Sequence, residues 1–147
     1  MDATDWDARY AGADLVWSAA PNVWVRELTS RMPSGRALDV AAGEGRNALW
    51  LVEQGWTVTA TDFSSVAVQR MSDIADQRLG SMREHLTTLV GDATADGEHS
   101  AYDLVLLCYL HLPDDEWRAA MRAATTAARP GGHVLVIGHA LRNLTEG

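Results

Sequence analysis

Five short apolar runs, separated by stretches of helical periodicity, set the tightest limit on how this chain folds. Arg36 to Ala41, Trp56 to Thr61, Leu86 to Val90, Tyr102 to Cys108 and His133 to Gly138 are rich in Val, Leu, Ile or Thr, which suits strands. Between them lie candidate helices over 21–32, about 47–54, from an N-cap at Ser64 or Ser65 through Leu79, and over 114–128. The first opens at Pro21, sets Val23, Trp24, Leu28 and Met32 on roughly one face, and stops at Pro33-Ser34-Gly35. The last has acids in its first turn and ends at Arg129-Pro130-Gly131-Gly132. Strands alternating with helices of this length pair in parallel, with helices on both faces. The expectation is an α/β fold, a doubly wound parallel sheet of about five strands in a single domain spanning 1–147.

Composition narrows what such a domain does. No apolar run reaches the ~18 residues of a membrane span, and the acidic start Met1-Asp2-Ala3-Thr4-Asp5 is unlike a signal peptide. The lone Cys108 rules out an internal disulfide and a zinc site made of cysteine pairs. These features point to a cytoplasmic protein without a membrane partner. A net charge of −8 speaks against a surface that tracks nucleic-acid phosphates. All 12 basic residues are Arg, which excludes a P-loop lysine, a lysine Schiff base and a lysine general base. The same Ala- and Arg-rich usage suggests a GC-rich bacterial genome.

Ligands of a doubly wound sheet bind beyond the carboxyl ends of its strands, and the unusual residues of this sequence fall there. Ala41-Ala42-Gly43-Glu44-Gly45 follows the first run, and its glycines let backbone N–H groups approach a ligand. Asp62 closes the second run, at the spacing from Gly43 expected of a carboxylate that accepts two ribose hydroxyls. Asp92 follows the third run, and Cys108-Tyr109-Leu110-His111 ends the fourth. The glycine loop alone is ambiguous, because Gly43-Glu44-Gly45-Arg46-Asn47-Ala48 also satisfies the G-x-G-x-x-A dinucleotide pattern. Asp39 inside the first run and the Arg-Pro-Gly-Gly turn before the fifth tip the balance away from dinucleotides.

Taken together, Leu38 to Arg46 and Val58 to Ser64 resemble the first two motifs of class I S-adenosylmethionine-dependent methyltransferases. Tyr102 to Val105, His111-Leu112-Pro113 and the Arg-Pro-Gly-Gly turn are similar to the later motifs. Trp6-Asp7-Ala8-Arg9-Tyr10 and Trp17 to Asn22 add a likeness to small bacterial tellurite-resistance and thiopurine-type enzymes. The resemblance implies a Rossmann-like sheet of order 3-2-1-4-5 and S-adenosylmethionine as cofactor, with S-adenosylhomocysteine as product. It puts Asp39, Ala41, Gly43 and Gly45 around the methionine moiety, Asp62 on the ribose and Phe63 on the adenine. Asp92 and Ala93 meet the adenine's far edge, Tyr10 and Trp17 lie over the cofactor, and Cys108 is counted with them. Ala41 stands where the family has glycine, which is tolerable at negative φ. The family has two further strands after the fifth, so the chain reads as C-terminally truncated, with His133 to Ile137 an apolar edge open to self-association.

The implied reaction is in-line attack on the sulfonium methyl by N, O, S or another soft atom of a small-molecule acceptor, the protein supplying orientation and dryness. His111 is the candidate base where the acceptor must lose a proton, and a backbone-bonded loop histidine otherwise. Asp39 serves either the cofactor or a structural network, and Asp92 either the adenine or its own loop. Cys108 suits a small core residue better than a nucleophile, and His133 with His139 lack a carboxylate for a metal. Trp6 and Trp17 either cap a sulfonium by cation–π attraction or cover apolar surface, while Trp24, Trp50 and Trp117 read as packing residues. The competing readings are a nicotinamide-type oxidoreductase and a non-catalytic cofactor-binding or interaction module.

Overall fold

Alternation in the sequence becomes alternation in space, and it produces a five-stranded sheet of order β3-β2-β1-β4-β5. A computed structural model describes residues 20–138. Its strands are β1 (Arg36–Val40), β2 (Thr57–Asp62), β3 (Leu86–Val90), β4 (Tyr102–Cys108) and β5 (Ala128–Ile137), and every pairing is parallel. Among the described residues four helices connect or precede them: α1 (Val23–Thr29), α2 (Arg46–Glu53), α3 (Ser65–Arg78) and α4 (Asp114–Ala127). A 3-10 turn over Gly80–His85, absent from the sequence reading, leads into β3. The expected α/β class and strand order are those observed. Among the described residues no helix is long and apolar enough to cross a membrane.

The period-two alternation of strand side chains builds a core on each face. Ala37, Val58, Ala60, Leu104 and Leu106 pack with Leu49, Leu51 and Val52 of α2 and Met71 and Ala75 of α3. Val40, Val105 and Leu107 pack on the opposite face with Ala120, Ala124 and Ala127 of α4. Ser64 caps α3 by accepting from the Ala67 amide, one of the two caps expected. Beside β1, Asp103 accepts from the Arg129 guanidinium and, at 2.8 Å, from the Arg36 amide, which holds its carboxyl below the usual carboxylate range. A side chain on Gly35 would meet that carboxylate at 2.2 Å and push it away from the Arg36 amide.

Several boundaries and orientations differ from the sequence reading. Pro21 lies before the helix, because Asn22 is the N-cap of α1 and its side chain accepts from the Trp24 and Val25 amides. Val25 and Thr29 are buried, whereas Val23, Trp24 and Leu28 are exposed. The reason is Asn22 itself: it is buried, and the face that continues its own direction runs through positions 25 and 29. Trp24, 58% exposed, is therefore not a packing residue among the described ones; Trp50 and Trp117 are half-buried, and Trp56 lies in the core. The Arg129-Pro130-Gly131-Gly132 segment is not a turn before β5 but part of it. It forms an irregularity opposite Tyr102 and Leu104, where Gly131 takes a φ of 82°.

Candidate active site

β1 to β4 end along one edge, and each delivers polar or conformationally special residues there. After β1 the chain turns through Ala41 to Gly45. The Ala42 amide donates to Thr61 O (2.8 Å) and the Gly45 amide to Ala42 O (3.0 Å), which holds the loop against β2. Gly45 then caps α2 in the left-handed conformation (φ 88°, ψ 20°) with no side chain to satisfy the first-turn amides. Ala41 has a φ of 57°. That corrects the expectation of negative φ: the alanine occupies a glycine conformation, at a cost of roughly 1–2 kcal/mol for an L-residue.

Asp62 ends β2 nearly buried, and both carboxylate oxygens are in use. Oδ2 accepts from the Gly43 amide at 2.9 Å and Oδ1 from the Ser64 amide at 3.0 Å. Each carboxylate oxygen has two acceptor directions, so the group retains capacity for hydroxyl donors. Next to it, Asp39 on β1 is 2% exposed, and its Oδ2 is buried without a hydrogen-bond partner. Burial, reinforced by the Asp62 charge and opposed by the Arg46 guanidinium, lifts the Asp39 carboxyl to about 7. Glu44, in the loop itself, also has a buried Oε2 without a partner, and burial raises its pKa against the pull of Arg70.

The other expected residues are placed as follows. Phe63, which follows Asp62 at the end of β2, is 38% exposed. Asp92 is exposed, and its Oδ1 accepts from the Thr94 amide and hydroxyl, both at 2.8 Å, so it closes its own loop; Ala93 is half-buried behind it. Cys108 is half-buried, and burial pushes its thiol up to about 12, which disfavours the thiolate. His111 is exposed between Tyr109 and Pro113. Tyr10, Trp17, Trp6 and His139 lie outside the described residues. A separate concavity of about 300 Å³ lies against the other sheet face, lined by Leu38, Thr59, Leu89 and Ala124. Val40, Thr61 and the Gly91–Asp92–Ala93 segment lie between it and the strand-end site.

Sequence reasoning missed a polar network. The Asn22 amide N–H donates to Asn47 Oδ1 (2.8 Å) and its Nδ2 donates to the Tyr109 phenol oxygen (3.1 Å). Asn22 before an apolar stretch was a readable N-cap signal. Its partners, 25 and 87 positions away, leave no local trace.

The sheet order, the glycine loop at the end of β1 and the acid at the end of β2 together define a class I methyltransferase domain. A family model described as a methyltransferase domain matches residues 37–132, and the chain belongs to that family. It is 29% identical over 143 residues to the glycine N-methyltransferase of Rattus norvegicus, covering 88% of this chain and 48% of that protein. The human glycine N-methyltransferase gives the same identity, and the chain spans about half the length of these curated relatives. Among solved structures, the glycopeptide N-methyltransferase MtfA complexed with S-adenosyl-L-homocysteine matches with a TM-score of 0.73 at 25% identity, over 84% of this chain and 50% of that one. A structure concerned with conversion of a disulfide bond into a thioacetal group during echinomycin biosynthesis matches with a TM-score of 0.77 at 29% identity, over 90% and 59%. The family assignment favours the methyltransferase reading over the oxidoreductase one. It supports the class and not the narrower tellurite-resistance or thiopurine likeness.

Proposed function

We propose that the chain is the cofactor-binding core of an S-adenosylmethionine-dependent methyltransferase acting on a small-molecule acceptor. The observation that carries this reading is the buried, unpartnered Oδ2 of Asp39 beside the glycine loop. An unpaired buried carboxyl oxygen is costly, and the ammonium of an amino-acid tail is the partner that would repay it. S-adenosylmethionine, when bound, supplies an electrophilic methyl group. Asp62 receives the ribose hydroxyls, the loop from Ala41 to Gly45 borders the tail, Phe63 covers the adenine, and Ala93 with the Asp92 loop borders it. His111 takes a proton from acceptors that attack as ammonium or hydroxyl groups.

The relatives named above act on glycine and on glycopeptides by their descriptions, which favours an amine acceptor. We read the protein as cytoplasmic and bacterial from its composition. Calorimetry with S-adenosylhomocysteine and NAD in parallel tests the central claim: the first is expected to bind and the second not. Asp62→Ala is expected to weaken S-adenosylhomocysteine by ~1.5–3 kcal/mol, the scale of hydrogen bonds to a charged group. Unchanged affinity would take Asp62 out of the ribose site.

Self-association through β5 belongs to the same proposal. Among the described residues β5 pairs only with β4 and leaves Val136 42% exposed. Its first half, with Arg129, Pro130 and an irregular register, is poorly suited to further pairing, so the contact would use His133 to Ile137. Light scattering on the purified chain is expected to show a dimer, and a monodisperse monomer at high concentration would exclude it.

A further inference from the structure

The carboxyl edge of the sheet orders its residues as a line: Asp92 after β3, Asp62 at the end of β2, the glycine loop after β1, Tyr109 after β4. A nucleoside carrying an amino-acid tail, laid along that line with its ribose on Asp62, directs its tail across the ends of β1 and β4. Tyr109 stands at that second half of the site in an unusual state. Its φ is 56°, a left-handed conformation that costs a bulky residue roughly 1–2 kcal/mol. The conformation persists because the residue is held at both ends. Its amide donates to Ile137 O at 2.6 Å, and its phenol oxygen accepts from Asn22 Nδ2.

Asn22 is equally constrained. Its Oδ1 caps α1, its Nδ2 reaches Tyr109, and its backbone N–H reaches Asn47 in the first turn of α2. Asn47 is two residues beyond Gly45, and both asparagines are buried. One residue therefore joins, through its backbone N–H and its side-chain amide, the helix that leaves the glycine loop to the residue that leaves β4. Strain that is over-determined by its surroundings points to a function for the residue that bears it.

We propose that Tyr109 is a positioning residue, and that the Asn47–Asn22–Tyr109 network sets the gap between the glycine loop and the end of β4 in which the cofactor's amino-acid tail and departing methyl group lie. The proposal rests on the methyltransferase reading and adds a division of labour to it. Nucleoside recognition belongs to β2 and β3, and tail recognition depends on a link between α2 and β4. Loss of the link then weakens only ligands that possess the tail.

The test uses S-adenosylhomocysteine and adenosine as probes, with Tyr109→Phe and Asn22→Ser as variants. Phenylalanine keeps the ring and removes the phenol oxygen. Serine keeps a cap on α1 and removes the amide that reaches the phenol. Each variant is expected to bind S-adenosylhomocysteine about fivefold or more weakly, the equivalent of one lost hydrogen bond, while binding adenosine as the wild type does. The double variant is expected to be no weaker than the weaker single one, since both remove one link. Unchanged affinity for S-adenosylhomocysteine, or an equal loss for both probes, overturns the positioning role while wild-type binding keeps the methyltransferase reading. A wild-type chain that binds neither probe overturns both.

Discussion

Asp39→Asn is expected to stabilise the ligand-free protein at pH 8 and to have little effect below pH 4, while sharply weakening cofactor binding. The Asp39 carboxyl is raised from 3.8 to about 7 by burial, by Asp62 on β2 and against Arg46 on α2, with the Cys108 thiol facing it from β4. The folded state therefore retains a proton that the unfolded chain has released, and folding stability falls as pH rises from about 4 to about 7. At 1.36 kcal/mol per pH unit the accumulated penalty at pH 8 is of the order of 2–4 kcal/mol. Asparagine cannot ionise and avoids it. Denaturant unfolding of both proteins across this range checks the claim, and parallel stability curves would refute it.

On the proposed function the same titration governs the ligand. An ammonium seated against Asp39 favours its ionised form, so binding below pH 7 must expel a proton from the carboxyl. Affinity for S-adenosylhomocysteine is expected to rise about tenfold per unit up to pH 7 and then level off. The asparagine variant loses both the slope and the charge-assisted contact. A site that is destabilised when empty and satisfied when filled is how stability is exchanged for affinity.

Gly45→Ala carries the second large effect. The residue has a φ of 88°, and a Cβ there would stand 2.6 Å from Cγ and Sδ of Met71 and 2.7 Å from Cδ1 of Leu49. Both neighbours are fully buried, so neither can swing into solvent. Left-handed strain of roughly 1–2 kcal/mol adds to overpacking of typically 1–3 kcal/mol, a loss of about 2–5 kcal/mol. The shift would be read as a lower denaturant midpoint at constant slope. A variant as stable as the wild type would mean that the loop does not hold this conformation. The steric demand has a structural purpose, because the contact with Met71 docks the glycine loop on α3, the helix that Asp62 and Ser64 introduce.

The sequence was most informative where local chemistry and tertiary role coincide. β3 and β4 begin and end where their apolar runs do, and Asp62 and the glycine loop lie where the spacing puts them. It was least informative where a distant partner decides. Trp24 reads as apolar and helical, yet a buried asparagine two residues earlier turns it outward. Arg129-Pro130-Gly131-Gly132 has every mark of a turn, yet the Asp103 carboxylate and the neighbouring strand draw it into the sheet. The sign of φ at Ala41 is invisible in a residue type that occupies either region, and the Tyr109 network spans segments that no periodicity connects.

The placing of β1 between β2 and β4 also orders the assembly of the site in time. Asp62 and the Gly43 amide are 19 positions apart along the chain, whereas Arg36 and Asp103, which tie β1 to β4, are 67 apart. Closing the longer loop costs about 1 kcal/mol more in chain entropy, and such long-range contacts slow folding. The β1–β2 corner, with its carboxylate and glycine amide already joined, is therefore the cheaper half to form during folding. The other half of the strand-end site is completed only when the distant fourth strand docks. The β1–β2 corner of the site is built from neighbours in the chain, and the β4 corner depends on the most distant pairing in the sheet.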